Sequence, residues 1–132
     1  MSLHIKIITP DNSVWDSNAE EVILPSSTGQ LGILKGHAPL LTGLDIGVMR
    51  VRVDKNWIPI VLMGGFAEVE NDELIVMVNG AKEGSRINKE EAQKNLEDMT
   101  LCFEAAATSK EKIEATQNLR KARATVQACT MT

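Results

Sequence analysis

The sequence predicts an α+β fold in which an all-β sandwich or flattened barrel over residues 1–85 is followed by an antiparallel two-helix hairpin over residues 86–132. Three observations lead to this prediction. Short apolar segments separated by turns about every eight to twelve residues occupy the first part of the chain, as in sandwiches and barrels. Near Gly84 the apolar spacing changes to three and four residues, which indicates helices. Only Thr108 and Ser109 interrupt this helical pattern, and helices joined by so short a loop fold back on each other.

The predicted strands follow from alternating apolar and polar residues and from the turns between them. Alternation over residues 3–7 and 49–53 is typical of strands with one exposed face, and shorter strands are predicted at residues 14–15 and 21–24. Turns are predicted where Gly, Pro, Asn, Asp and Ser cluster, at residues 10–13, 25–29, 54–56 and 71–72. Residues 74–78 are apolar on both faces, so this strand is predicted to lie in the centre of the structure.

Residues 29–44 combine four glycines and a proline with several leucines and isoleucines. A flexible linker would have lost the large apolar side chains, and glycine is unfavourable inside a strand. The segment is therefore predicted to be a shaped, partly buried loop that bends sharply around residues 35–39.

The predicted helices have recognisable N-caps. Asn88 is the predicted N-cap of the first helix, and Glu91 completes an Asn-x-x-Glu variant of the capping box. Ser109 is the predicted N-cap of the second. Each helix carries an apolar stripe at helical spacing, formed by Ala92, Leu96, Met99, Phe103 and Ala106 in the first and by Ile113, Leu119, Ala122 and Val126 in the second.

Alanines fill most of the predicted interface between the two helices. Alanine permits close approach but buries little apolar area, so at about 25 cal/mol per Å² the hairpin binds itself only weakly. It therefore needs another surface. Two alternatives remain open: a static subdomain that rests on the sandwich, or a hairpin that exchanges one docking surface for another.

Composition and charge restrict the kinds of partner. The chain is 43% hydrophobic and 24% charged, as in folded soluble proteins. Its longest apolar run, residues 57–67, is shorter than the roughly 20 residues of a membrane-spanning helix, so membrane association is predicted only through partners. Five basic and two acidic side chains give residues 109–132 a charge of +3, which leaves −7 on residues 1–108. This basic tail favours a partner with an acidic patch over nucleic acid, because it has no aromatic side chain to stack on bases.

The residues that could carry chemistry do not form a predicted active site. His4 lies on the polar face of the first strand, and His37 is either a loop residue hydrogen-bonded to backbone or a contact group at an interface. Cys102 and Cys129 are predicted to lie roughly 20 Å apart along the hairpin, beyond disulfide reach. Two cysteines with two separated histidines also make no zinc site. Without a nucleophile elbow or a Walker motif, the chain is predicted to be a binding protein with no cofactor rather than an enzyme.

Residues 29–42 read Gly-Gln-Leu-Gly-Ile-Leu-Lys-Gly-His-Ala-Pro-Leu-Leu-Thr and resemble the signature of the epsilon subunits of rotary F-type ATP synthases. Supporting matches run through the whole chain, including Leu-Arg-Lys-Ala-Arg-Ala at residues 119–124. Trp15 with Asp16, and Met-Gly-Gly-Phe at residues 63–66, are most similar to the chloroplast and cyanobacterial branch.

The resemblance implies a non-catalytic central-stalk subunit that couples the gamma subunit and the c-ring to rotation and inhibits ATP hydrolysis through its C-terminal helices. It also implies a peripheral position at the thylakoid membrane, on the stromal or cytoplasmic face. The implied gamma contacts are His37, Ala38, Pro39 and Thr42. The implied c-ring contacts are Gly29 and Gln30, and the implied contacts with the catalytic beta subunits are Arg120, Lys121 and Arg123.

One departure concerns nucleotide binding. Some bacterial members bind ATP through an Ile/Leu-Asp-x-x-Arg-Ala motif, whereas residues 87–92 read Ile-Asn-Lys-Glu-Glu-Ala here. Asn88 replaces the aspartate and Glu91 replaces the arginine, so tight ATP binding is not expected. The alternative to this assignment is an unrelated β-sandwich adaptor or ligand-binding module with a static helical tail.

Overall fold

The computed structural model describes residues 2–11 and 13–131 and confirms the predicted α+β class. The strands are β1 Leu3–Ile8, β2 Ser13–Ala19, β3 Glu21–Ser26, β4 Gly29–Leu34, β5 Leu40–Val53, β6 Asn56–Glu70, β7 Glu73–Val78 and β8 Ala81–Glu83. A 3₁₀ turn at Gly84–Arg86 leads to helices α1 Lys89–Ala105 and α2 Ser109–Thr130. The predicted turn at residues 10–13 includes Asn12, which lies outside the described residues.

The strands form one unclosed sheet that folds over on itself, in the order β2-β1-β7-β6-β5-β3-β4, with β8 added to β6. β5 and β6 are 14 and 15 residues long and belong to both halves of the sandwich. The start of β5 and the end of β6 pair beside β7, whereas their other ends pair beside β3 and β8. At the crossing, Gly65 has a φ of +155°, and a Cβ there would overlap the carbonyl oxygen of Met77. A residue without a side chain is therefore required at this point.

The core between the two halves is aliphatic. Fully buried side chains from six strands fill it, the largest being Leu3, Ile5, Ile7, Leu24, Ile33, Met49, Ile60, Leu62 and Leu74. Aromatic side chains contribute little to it, because Trp57, Phe66 and Phe103 are exposed and Trp15 packs only partly buried against it. Burial of these close-packed aliphatic side chains is the main stabilising contribution to the sandwich.

The prediction of a shaped loop over residues 29–44 is wrong at both ends, since residues 40–44 are the start of β5. Gly29–Leu34 is strand β4, which pairs with β3 from Glu21↔Leu34 to Ser26↔Gly29. The glycines are tolerated because β4 is an edge strand with a partner on one side only. The predicted turn at residues 25–29 is correspondingly shorter, since only residues 27 and 28 lie outside the two strands. The bend at residues 35–39 is present, with Gly36 at a φ of +86°.

The prediction for residues 74–78 is correct for strand order and wrong for burial. β7 lies between β1 and β6, but only Leu74, Val76 and Val78 are buried. Ile75 is half-buried and Met77 is exposed on the outer face. Both faces of this strand are apolar because one face lines the core and the other belongs to an exposed surface described below.

The turns around β6 follow the local sequence closely. Asp54 and Lys55 have positive φ between β5 and β6, and Asn71 and Asp72 have positive φ between β6 and β7. Aspartate and asparagine tolerate this conformation better than most residues. The two hairpin predictions at these positions are confirmed.

The helices begin where polar side chains satisfy backbone N–H groups. The Asn88 side chain accepts a hydrogen bond of 3.0 Å from the backbone nitrogen of Glu91, which confirms the predicted N-cap, but the reciprocal bond to the Glu91 side chain that would complete a capping box is not found at this cap. The cap of α2 is Thr108 rather than Ser109, because Thr108 and Glu111 form a complete capping box and Ser109 is the first helical residue. Phe103 and Ile113, assigned above to the apolar stripes of the two helices, are exposed.

α2 packs against both α1 and the sandwich. Ala124 and Ala128 form a small buried cluster with Val61, with half-buried Ile46, Val48, Met63 and Ile87 around it. This cluster is separate from the main core. The separation supports the proposal that residues 1–85 and 86–132 are distinct domains.

Candidate interaction surfaces

The bend that contains His37 is fixed to the rest of the sandwich. The backbone nitrogen of Gly36 donates a hydrogen bond of 2.6 Å to the Asp72 carboxylate in the turn between β6 and β7. The His37 backbone nitrogen donates to the Leu34 carbonyl at 3.2 Å, and its Nδ1 lies 2.7 Å from the carbonyl oxygen of Ala38. His37 is half-buried, whereas Ala38 and Pro39 are exposed. The bend thus presents a short, rigid ridge to solvent.

An exposed apolar surface extends from this ridge across the outer face of β5, β6, β7 and β1. We name the exposed Leu41, Phe66 and Met77, together with the half-buried Ile8, the outer apolar patch. The exposed fractions of Leu41, Phe66 and Met77 are 66%, 58% and 44%. Phe66 pairs across the strands with Met77, which in turn pairs with Ile8, so these side chains adjoin one another on one face. Contiguous exposure of this kind marks an interaction site.

Carboxylates border the patch. Glu68, Glu70 and Glu73 are exposed on the same face, and we name them the acidic row. Glu68 pairs with Leu41 on one side and with Ile75 on the other, which places the acidic row directly beside the patch. The complementary partner surface would be apolar at its centre and basic at its rim.

The implied gamma contacts lie in two environments. Pro39 adjoins the outer apolar patch, since Pro39 and Leu41 line one shallow cavity together with Glu68 and Glu70 of the acidic row, and His37 and Ala38 precede Pro39 in the bend. Thr42 pairs with the buried Ala67, so its side chain lies on the inner face of the sheet, in the part of β5 that pairs with β6 and not with β3. The geometry therefore groups three of these residues and separates the fourth.

The implied c-ring contacts lie at the other end of β4. Gly29 and Gln30 are exposed just after the turn between β3 and β4, where the buried Ser26 hydroxyl donates a hydrogen bond to the Gly29 carbonyl. The Gln30 side-chain oxygen accepts a hydrogen bond of 3.2 Å from Arg50. Five residue steps of about 3.3 Å place this turn about 17 Å from the end of β4 that leads to the bend.

The implied beta-subunit contacts, Arg120, Lys121 and Arg123, lie on α2 with exposed side chains. A guanidinium nitrogen of Arg120 lies 4.0 Å from the Asp45 carboxylate of β5, while the hairpin is docked on the sandwich. Lys121 and Arg123 are exposed to solvent.

Other groups that could carry chemistry are dispersed. Cys102 lines a cavity at the loop end of the hairpin, whereas Cys129 lines a cavity beside the start of α1. Within residues 2–11 and 13–131, no group of three or more metal-binding side chains is close enough to hold an ion. In the same part of the chain, no helix is both long and apolar enough to cross a membrane.

Comparison with known proteins assigns the family. A family model described as the ATP synthase, Delta/Epsilon chain, beta-sandwich domain matches residues 2–84. The chain is 73% identical over 128 residues to the chloroplastic ATP synthase epsilon chain of Guillardia theta, which covers 97% of this chain and 98% of that protein. This chain belongs to the ATP synthase epsilon family. The chloroplastic epsilon chain of Porphyra purpurea is 68% identical over 130 residues, covering 98% and 97% of the two chains.

Structural comparison agrees with this epsilon assignment at the level of the fold. A chain in the cryo-EM structure of Euglena gracilis mitochondrial ATP synthase (OSCP/F1/c-ring in rotational state 1) superposes with a TM-score of 0.81 and 18% identity, covering 92% of this chain and 78% of that chain. The family resemblance predicted from the sequence is confirmed, and an unrelated adaptor is excluded. The outer apolar patch was not predicted from the sequence, although the apolar residues at the outer positions of β7 were its signal.

Proposed function

We propose that this epsilon chain is a rotor subunit without an active site of its own, which joins gamma to the c-ring and inhibits ATP hydrolysis through its C-terminal helices. The outer apolar patch carries the proposal. A folded chain of this family that exposes adjoining large apolar side chains beside a fixed ridge is built to hold a partner.

Gamma is the proposed partner of the outer apolar patch. Leu41, Phe66 and Met77 would pack on apolar side chains of gamma, and the acidic row would face lysine or arginine at the rim. His37, Ala38 and Pro39 would complete this contact at one end. Thr42 would take part only where gamma reaches around the edge of β5.

The c-ring is the proposed partner of Gly29 and Gln30. The distance of about 17 Å along β4 would let one sandwich contact both partners at the same time. Gln30 is neutral and already accepts a hydrogen bond from Arg50, so we expect a polar contact with the ring rather than a charge pair.

The catalytic beta subunits are the proposed partners of Arg120, Lys121 and Arg123. Three exposed positive charges on one helix suit an acidic segment. Docking of α2 through alanines supports this role, because a small apolar contact can be exchanged for another surface at little cost. Relatives carry the word chloroplastic in their names, and we propose a peripheral position at the thylakoid membrane, on the stromal or cytoplasmic face.

A binding experiment tests the gamma contact. Phe66→Glu should weaken co-purification with gamma by about 30-fold or more, because it places a charge in the middle of the patch. Leu101→Glu is the matched control, since Leu101 is 63% exposed against 58% for Phe66 but lies on α1. Equal binding by the two variants would refute the assignment of gamma to this face.

A second experiment tests inhibition. Changing Arg120, Lys121 and Arg123 together to alanine should relieve inhibition of an epsilon-free catalytic head and leave gamma binding intact. Lys110 and Lys112, near the start of α2, provide a control pair for loss of positive charge. Unchanged inhibition by the triple variant would contradict the role of these side chains.

A further inference from the structure

The docked hairpin is held to the sandwich by two kinds of contact. One is the alanine cluster on Val61, and the other is the ion pair between Arg120 and Asp45. Among residues 2–11 and 13–131, this is the ion pair that connects α2 with a strand. The hairpin is therefore attached by little apolar area and by one pair of opposite charges.

Both contacts lie on the same face of α2. Arg120, Ala124 and Ala128 are spaced four residues apart, which aligns their side chains along the helix. Ala124 and Ala128 are buried against the sheet, so Arg120 continues this stripe toward Asp45. Because of this spacing, Arg120 lies on the side of α2 that faces the sandwich when the alanines are docked.

Asp45 is well placed to anchor a helix. It lies in β5 between Leu44, which is buried in the main core, and Ile46, which packs on the alanine cluster. The residues on either side of Asp45 pair with Gly65 and Met63 of β6, so its backbone is held on both sides. Its carboxylate is half-exposed and can accept a cation without losing hydration.

We propose that Asp45 and Arg120 form an electrostatic latch that keeps the hairpin on the sandwich, and that an acidic partner surface releases the hairpin by competing with Asp45 for Arg120. The second half of this statement rests on the proposed function. The latch engages one of the three basic residues assigned to the beta subunits, so docking and inhibition share Arg120. Asp45 takes part in docking but not in the proposed contact with the beta subunits. Mutation of Asp45 therefore separates docking from inhibition.

Amide hydrogen exchange on the full chain tests the latch. Asp45→Asn should speed exchange of the α2 amides at residues 115–128 by about 1.5- to fivefold, the range expected for an exposed ion pair. Asp16→Asn is the matched control, because Asp16 is 54% exposed against 51% for Asp45 and pairs with His4 far from the hairpin. Amides of β7 report whether the sandwich itself remains folded.

Exchanging the charges sharpens the test. Asp45→Arg combined with Arg120→Asp should restore slow exchange, whereas either change alone should not. Raising the salt concentration should speed exchange in the original chain more than in Asp45→Asn, because salt screens exposed charges. Identical α2 exchange in Asp45→Asn and Asp16→Asn would overturn the latch.

Inhibition of the catalytic head separates the latch from the proposed function. The Asp45→Asn variant should inhibit an epsilon-free catalytic head at a lower concentration than the original chain, because undocking its hairpin from the sandwich costs less free energy. Faster α2 exchange without stronger inhibition would support the latch and refute its release by the head. Loss of inhibition in the triple basic variant, with α2 exchange unchanged in Asp45→Asn, would support the proposed function and refute the latch.

Discussion

Replacing Gly65 with alanine would test whether the crossing of β6 between the two halves of the sheet requires a residue without a side chain. The added Cβ would overlap the Met77 carbonyl oxygen and lie 2.8 Å from the Cα of Val78. Both atoms belong to the backbone of β7, which is also bonded to β1 and cannot move aside easily. The φ of +155° at Gly65 is a further cost for any L-residue.

The expected loss of stability follows from these two effects. Overpacking in a close-packed interior costs about 1–3 kcal/mol, and a strained backbone conformation costs about 1–3 kcal/mol. The free energy of unfolding should therefore fall by about 2–6 kcal/mol, a large fraction of the roughly 5–15 kcal/mol typical of a domain. Urea unfolding followed by circular dichroism should show the midpoint lowered by about 1 M or more.

Gly32→Ala is the control for this experiment. Gly32 lies in edge strand β4, its φ is outside the left-handed region, and no atom lies within 4 Å of an added Cβ. Alanine there should leave the free energy of unfolding unchanged or raise it by about 0.4–1 kcal/mol. A Gly65→Ala protein as stable as Gly32→Ala would refute the steric argument.

Three further predictions concern the hairpin. Thr108→Ala should destabilise α2 by about 1 kcal/mol, because it removes the N-cap oxygen. Ser109→Ala should have little effect. The two variants are compared by following helix content with circular dichroism as urea is added. Ala128→Leu should overpack the contact with Val61 and weaken docking of the hairpin by about 1–3 kcal/mol. Amide hydrogen exchange should become faster in α2 and stay unchanged in β7. Unchanged exchange in both elements would contradict this prediction. Isothermal titration calorimetry with ATP should show no binding in the micromolar range, because Glu91 places a negative charge where the ATP-binding motif has an arginine. A micromolar dissociation constant would refute this prediction.

Features set by neighbouring residues could be predicted from the sequence. The turns at Asp54 and Asn71 and the cap at Asn88 depend on the conformational preferences of a few residues, and the structure confirms them. The prediction that Ser109 is the N-cap of α2 is wrong by one position. Both Thr108 and Ser109 can act as N-caps, and only the reciprocal hydrogen bonds between Thr108 and Glu111 decide between them.

Features set by distant parts of the chain could not be predicted in this way. Whether the glycines of β4 lie in a loop or a strand depends on β3 being its single neighbour, which local sequence does not record. An apolar residue such as Met77 has the same sequence signature whether it faces the core or a partner. The resemblance to the family suggested the proposed contact residues, but their separation into ridge, edge and turn required the fold.

Asp72 makes the glycine-rich bend far stiffer than its composition suggests. Its carboxylate holds the amide of Gly36, and its own carbonyl accepts a hydrogen bond of 3.0 Å from the amide of His4 in β1. A sideways force on the bend is consequently transmitted to the parallel ladder between β1 and β7 instead of being absorbed by loop deformation. If the bend contacts a rotating shaft as proposed, a load applied there would be shared among the backbone hydrogen bonds of β1 and β7.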